Sequence, residues 1–371
     1  MMKFSCYRND LMEALQFVVK AVAVRPMTPA ISGIYIRAEN NMAEFHANDF
    51  TLGISARIPV NTTTTGESLV SGKRFFEFVR NLSDDTLTIS NDFAENTLTV
   101  EAGGANVELL TMDPEDFPRV RELDTDIAFK ISTLTLRHLL RKTLFAASKD
   151  DARPIFTGCC FEVRGDKISV VATNTHRLAL ISADLPEKYG DFTFVVPADS
   201  LRALMSGLNP TDVDDNYVTV KISSRYISLT YDNVMINMRV IEGMFPPYDR
   251  VIPASSTTRV TVNKKEFQSA VELVALMARE NEYNNVKLSF SGDCVEVSSN
   301  SPEVGGATKS VTADIEGADL DISFNVNYIV DVLRAIDSKS IIMGFNDQYS
   351  PAAFKEHGNN DYVYVATPVR A

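Results

Sequence analysis

At 371 residues, with 45% hydrophobic and 23% charged side chains, the chain has the make-up of a globular protein of two to three domains. A single small module, a fibrous repeat and a disordered chain are excluded. Its 36 Lys and Arg stand against 49 Asp and Glu, a net charge of −13. The surface as a whole therefore repels polyanions, and a simple basic-protein route to nucleic acid is closed.

The first ten residues, Met-Met-Lys-Phe-Ser-Cys-Tyr-Arg-Asn-Asp, meet charge before an apolar signal segment could form. No stretch approaches the ~18 uninterrupted apolar residues of a membrane span. Cys6, Cys159, Cys160 and Cys294 lack the C-x-x-C spacing of a zinc site, and two are adjacent. They read as reduced, mostly buried thiols, and the expected location is the cytoplasm, with no membrane partner.

Along the chain, helical patterns fall at 9–23, 73–81, 135–149, 199–208, 264–281 and 327–337, and they come in pairs. Leu15, Leu140 and Val271, the last apolar residues of three matching patterns, lie 125 and 131 residues apart. Phe75, Leu201 and Ile329, each in a short helix after a strand, lie 126 and 128 apart. Asp-Phe-Pro at 116–118 and Met-Phe-Pro at 244–246 are 128 apart and close two copies. Three markers at one spacing define a triplicated chain, with domains expected at 1–124, 125–252 and 253–371.

Between the helices lie short alternating segments rich in β-branched residues, such as Thr86–Ser90, Lys167–Val171, Tyr217–Ile222 and Tyr226–Thr230. These have the pattern of half-buried antiparallel strands. Asn91-Asp92, Gly103-Gly104, Arg164-Gly165-Asp166, Ser223-Ser224 and Ser291-Gly292-Asp293 read as hairpin turns. Each copy is expected to hold two helices and about eight strands, an α+β class with antiparallel sheet carrying its helices on one face.

The six helical segments hold 13 Lys and Arg against 9 Asp and Glu, so the acidity of the chain lies in its strands and loops. The segment 135–149 has Arg137, Arg141, Lys142 and Lys149 and no acid. A cationic face repeated on equivalent helices fits contacts to phosphates, which carry no sequence information and weaken with salt.

Thr173-Asn-Thr-His-Arg-Leu178, Glu242-Gly-Met-Phe-Pro-Pro-Tyr-Asp-Arg-Val-Ile-Pro253, Phe324-Asn-Val-Asn-Tyr-Ile-Val-Asp-Val-Leu333 and Ala366-Thr-Pro-Val-Arg-Ala371 together resemble the bacterial DNA polymerase III beta subunit, the sliding clamp. The resemblance covers the whole chain in order, including Met2-Lys-Phe and Arg25-Pro26. It implies the DNA clamp fold: three similar domains that form a homodimer, a six-domain ring with helices around a central hole. It implies no catalysis and no cofactor. The function implied is that of a processivity factor, which encircles double-stranded DNA without sequence specificity. Partners implied are the polymerase III alpha subunit, the clamp loader, other polymerases, mismatch-repair proteins and ligase, each inserting a short, partly apolar peptide.

Carried over, the peptide groove would comprise Phe156, Thr173, His176, Arg177, Leu178, Pro246, Arg250, Val251, Asn325, Tyr328, Tyr349, Val365, Pro368, Val369 and Arg370. Leu178, Val251, Val365 and Val369 would form apolar walls, while Arg177, Arg250 and Asn325 would orient the peptide. The family often has Asp-Gly where this chain has Asn174-Thr175, and Met-Pro-Met-Arg-Leu where it ends Thr367-Pro-Val-Arg-Ala371, and smaller walls are expected at both points. The DNA-facing set would be Arg25, Lys73, Arg74, Arg80, Arg137, Arg141, Lys142, Lys149 and Arg153. The dimer contact would use Arg74, Val107 and Leu109 against Leu276, Met277 and Glu303.

His176 and Arg177, with Asp49 or Asp150-Asp151 as carboxylate partners, are set aside as a catalytic pair. No nucleophile elbow, zinc-binding helix, Walker loop or dinucleotide fingerprint accompanies them. His46, His138, His176 and His357 are scattered without metal-ligand spacing, so no metal site is expected. Phe75, Phe76 and Phe78 follow helical spacing and read as core. The competing reading is a protein-interaction scaffold without DNA, or a repeat enzyme.

Overall fold

The computed structural model describes residues 1–208, 216–278, 284–301 and 305–369. Six α-helices lie among them: α1 (Arg8–Val18), α2 (Gly72–Asn81), α3 (Thr133–Thr143), α4 (Ala198–Met205), α5 (Lys264–Ala278) and α6 (Val326–Ala335). α1 and α3 stop earlier than their apolar pattern suggests, because each ends in a turn of 3₁₀ helix, Val19–Ala21 and Leu144–Ala146. After each, the chain returns to bond a neighbouring 3₁₀ turn, through Ala23 N–H to the Ile31 carbonyl and Ser148 N–H to the Phe156 carbonyl. Those bonds satisfy groups that a longer helix would have satisfied itself.

The strands form two antiparallel sheets, one in each of two compact units. The first unit, residues 1–137 and 199–241, contains a 13-stranded sheet. The second, residues 138–198 and 242–371, contains a 10-stranded sheet. Each has a seam between repeats: Leu52–Pro59 pairs with Val234–Arg239 in the first, and Arg177–Pro197 with Asn359–Ala366 in the second. The middle third of the chain thus contributes strands to both sheets. Among the described residues it has six strand spans rather than about eight, because Gly158–Thr173 and Arg177–Pro197 each take up two of the expected strands without a break.

The chain doubles back within the first of these spans, for Phe156 just before it and Thr173 at its end line one cavity, and the turn expected at 164–166 falls where the register shifts on both sides of Gly165, whose φ of +62° a glycine adopts without a steric penalty. Gly103-Gly104 and Gly292-Asp293 also turn between strands. In the first hairpin the turn falls at 93–96, beyond Asn91-Asp92. Of the three phenylalanines of α2, only Phe75 is buried, beside Gly72 and Val79 at helical spacing, whereas Phe78 is 39% exposed.

Besides the end strands of the two sheets, two long strands have a largely unpaired edge among the described residues. Ala105–Met112 pairs along its length with Thr97–Ala102, but on its other side only Thr111 and Met112 meet Val70 and Leu69. Gly305–Glu316 pairs with Cys294–Ser301 through residues 305–312, and on its other side only 313–316 meet Thr258–Asn263. Stretches 105–110 and 305–312 therefore each present free backbone donors and acceptors, the arrangement that recruits another strand.

Candidate peptide groove and basic faces

The second unit contains a cavity of about 260 Å³. Its walls are largely apolar: Phe156, Leu178, Phe245, Pro246, Pro247, Val251, Pro351 and Val365, with Tyr248 at one side. One rim is the turn from Thr173 to Arg177. Thr173 Oγ1 donates to the Arg177 carbonyl at 2.7 Å and accepts the Thr175 N–H at 3.1 Å, while Asn174 Oδ1 accepts the N–H groups of His176 and Arg177 at 3.0 and 2.9 Å. The end of the chain ties this turn down, for the N–H and Oγ1 of Thr367 both donate to the His176 carbonyl, at 2.9 and 3.0 Å.

Arg177 is held more firmly still. Its side chain is 10% exposed and donates to Asp331 at 2.6 Å and to the Phe145 carbonyl. Its guanidinium lies 4.7 Å from the Tyr328 ring centroid and 5.6 Å from that of Phe145. A guanidinium over two rings that also donates to Asp331 and a carbonyl is a set of contacts that lysine cannot reproduce. The Arg177 Nε is buried and has no hydrogen-bond partner among the described residues. Burial, with Glu162 beside it, pushes the Tyr248 hydroxyl well above the usual tyrosine range, so it stays protonated.

Of the expected groove set, Phe156, Thr173, His176, Arg177, Leu178, Pro246, Val251 and Val365 line the cavity. Arg250, Asn325, Tyr328, Tyr349, Pro368 and Val369 do not, and Arg370 lies outside the described residues. Asn325 caps α6, its side chain accepting the Asn327 N–H at 3.0 Å, and Tyr328 supports Arg177 from behind. Val369 is held by its N–H to the Ser323 carbonyl at 2.8 Å. Thr175, Phe245, Pro247, Tyr248, Pro351 and Thr367 line it and were not in the set. Phe245, Pro247 and Tyr248 sit inside the 242–253 motif and were legible there; Pro351 is brought in by tertiary structure alone. The expectation of a smaller wall at Thr175 is reversed, since its side chain adds a branched group where glycine would add none.

The basic residues divide by unit. In the first, Arg25, Lys73, Arg74, Arg80 and Arg137 are exposed, with Arg137 also donating to the Leu208 carbonyl at 3.1 Å. In the second, Lys149 and Arg153 are exposed, and Arg141 is paired with Asp337, with one N–H···O contact at 2.9 Å. Lys142 is a correction. It is fully buried, bonded to Glu356, 3.1 Å from Asp337 and 5.0 Å from the centre of the Tyr362 ring, so it cannot meet a phosphate. A single step along the helix, about 100° of rotation, separates an outward guanidinium from an inward ammonium, a distinction that charge counting along 135–149 misses. Burial alone would raise the Asp337 carboxyl, but the hydrogen bonds and charges of Arg141 and Lys142 outweigh it and hold it at about 2. Burial and the charges of Lys142 and Arg141 lower His138, which is neutral at pH 7.

On the free edge of the first unit, Leu109 is a second correction: it is 6% exposed in its own chain, and Val107 shares its face. The residue this strand offers to solvent is Leu110, 78% exposed, because successive side chains alternate. Leu276 is exposed and Met277 half-buried on α5, joined by exposed Leu273, and Glu303 lies outside the described residues. All four cysteines are free, and burial pushes the Cys6 and Cys160 thiols up to about 12, so they are not nucleophiles. Among the described residues no cluster of His, Cys, Asp and Glu could hold a metal, and no helix is long and apolar enough to cross a membrane.

A triplicated antiparallel α+β chain with strand edges left unpaired at 105–110 and 305–312 and with an apolar groove has the architecture of a DNA clamp. The N-terminal, central and C-terminal domains of the DNA polymerase III beta subunit match residues 2–121, 130–247 and 249–370. The beta sliding clamp of Bacillus subtilis is 33% identical, with both chains covered completely. Solved structures agree: a Bacillus subtilis DNA polymerase sliding clamp has a TM-score of 0.94 at 31% identity, covering 100% of this chain and 99% of that one. The beta subunit of DNA polymerase III from Thermotoga maritima has 0.93 at 27%, with both chains fully covered. The chain belongs to the DNA polymerase III beta subunit family, the beta sliding clamps, whose members are non-catalytic processivity subunits.

Proposed function

We propose that two copies close into a ring around duplex DNA, the edge at 105–110 of one copy adding to the edge at 305–312 of the other. The two unpaired edges carry this reading: each has a full row of backbone groups, and exposed Leu110 and Leu276 supply apolar surface beside them. The three domains at 1–124, 125–252 and 253–371 then give six in the ring. Arg25, Lys73, Arg74, Arg80, Arg137, Lys149 and Arg153 face the phosphates, and Arg141 does so through whatever share of its charge Asp337 leaves. Retention comes from enclosure, so contacts can stay weak enough for sliding.

The groove takes a short, partly apolar peptide from the polymerase III alpha subunit, the clamp loader, other polymerases, mismatch-repair proteins or ligase. Apolar walls bind its side chains, and the rim at Thr175–Arg177 orients its backbone. Free, high-pKa thiols suit a reducing cytoplasm. The test is retention on DNA. The protein, once loaded, should stay on nicked circular DNA, leave after linearisation, and elute at about twice its 41.0 kDa chain mass. Equal loss from circular and linear DNA refutes encirclement.

A further inference from the structure

Thr175 is a β-branched residue at φ +76°, in the left-handed region that such residues avoid. Five hydrogen bonds within residues 173–177, and two more from Thr367 to His176, keep the turn in this shape whatever residue stands at its tip. The side chain at that tip is exposed, makes no hydrogen bond among the described residues, and lines the groove. Its position is therefore fixed by bonds that do not involve it. A cavity of about 150 Å³ takes one benzene ring. The groove, at about 260 Å³, is less than twice that, so side-chain volume added at its wall is taken from a second ring first.

We propose that Thr175 is the specificity-determining residue of the groove: its branched side chain, held by the strained turn, admits peptides with paired aliphatic anchors and excludes those with paired aromatic ones. This rests on the reading of the cavity as a peptide groove. Shape does the selecting, since a methyl group or two at a packed wall changes discrimination by tenfold or more.

The test is fluorescence titration of the full-length protein with two acetylated hexapeptides that differ only in an adjacent anchor pair, Leu-Leu or Phe-Phe. Wild type should prefer the Leu-Leu peptide by about tenfold or more. Thr175→Gly, which relieves the backbone and should melt no lower than wild type, should bring that ratio below about threefold by tightening the Phe-Phe peptide. Thr175→Val, with the same shape and no hydroxyl, should keep the wild-type ratio. A Thr175→Gly protein that binds both peptides with the wild-type ratio overturns the proposal, as does loss of preference in Thr175→Val. Failure of both peptides to bind wild type at all instead removes the groove reading, and the proposal with it.

Discussion

The segment Phe-Pro that ends the first repeat and its counterpart that ends the second meet opposite fates. Phe117 is buried, stacked on Tyr35 with centroids 5.6 Å apart and planes within 9°, in a cluster with Ala30 and Leu69. The Arg119 guanidinium lies 4.7 Å from the Tyr35 ring centroid, and the Tyr35 hydroxyl is bonded to Glu67. Phe245 is only half-buried, and lies edge-on to Phe156 and Tyr248 at 6.1 and 6.4 Å. The strands beneath correspond, for Gly33–Glu39 and Gly158–Thr173 each follow a 3₁₀ turn, but the place of Tyr35 is taken by Cys160. One repeat fills its space with a tyrosine ring; the other, with a small thiol there, leaves its closing phenylalanine to wall a groove.

The tight turns carry the same lesson. Phe50 at φ +71° and Thr175 at φ +76° sit in turns of one design, the preceding side chains at 48–49 and 173–174 accepting the following N–H groups. Only the second lines the apolar cavity. Backbone form is a property of the repeat, and function follows from the side chains placed on it.

The largest effect that would sharpen this contrast is at Lys142, where the second unit uses charge in its interior. Lys142→Ala leaves Glu356 buried without its partner and should cost about 3–5 kcal/mol in chemical denaturation. Adding Glu356→Leu should recover part of that loss, because the uncompensated carboxylate is gone. An equal loss in both variants would mean that packing, not charge, dominates there.

Next in size, Phe117→Ala should destabilise by about 3–5 kcal/mol. Phe245→Ala should cost about 1 kcal/mol, as befits a half-buried ring, yet weaken a groove peptide by tenfold or more. Similar stability losses at the two sites would erase the comparison.

The smallest effect is on acidification. The Asp337 carboxyl lies at about 2 in the folded chain against an ordinary 3.8, so it binds protons less readily folded than unfolded. Its stabilisation is present above about pH 4 and fades as pH falls from there towards 2. Hydrogen exchange of 138–146 and 335–356 should therefore speed up over that interval, and Asp337→Asn should flatten the response. No change in those segments would leave the Arg141–Lys142–Asp337 cluster without a role in holding α3.

By itself the sequence determined the triplication, the α+β class and the run of residues 173–178 and 242–253 that builds the groove, because these depend on local patterns and on spacing that a chain displays openly. Only tertiary structure decided that Lys142 points inward to Glu356 while Arg141 points out, and that Leu110 rather than Leu109 meets solvent. The reason is directional. Which way a side chain faces depends on register and on partners far along the chain, and a residue's type and spacing carry neither.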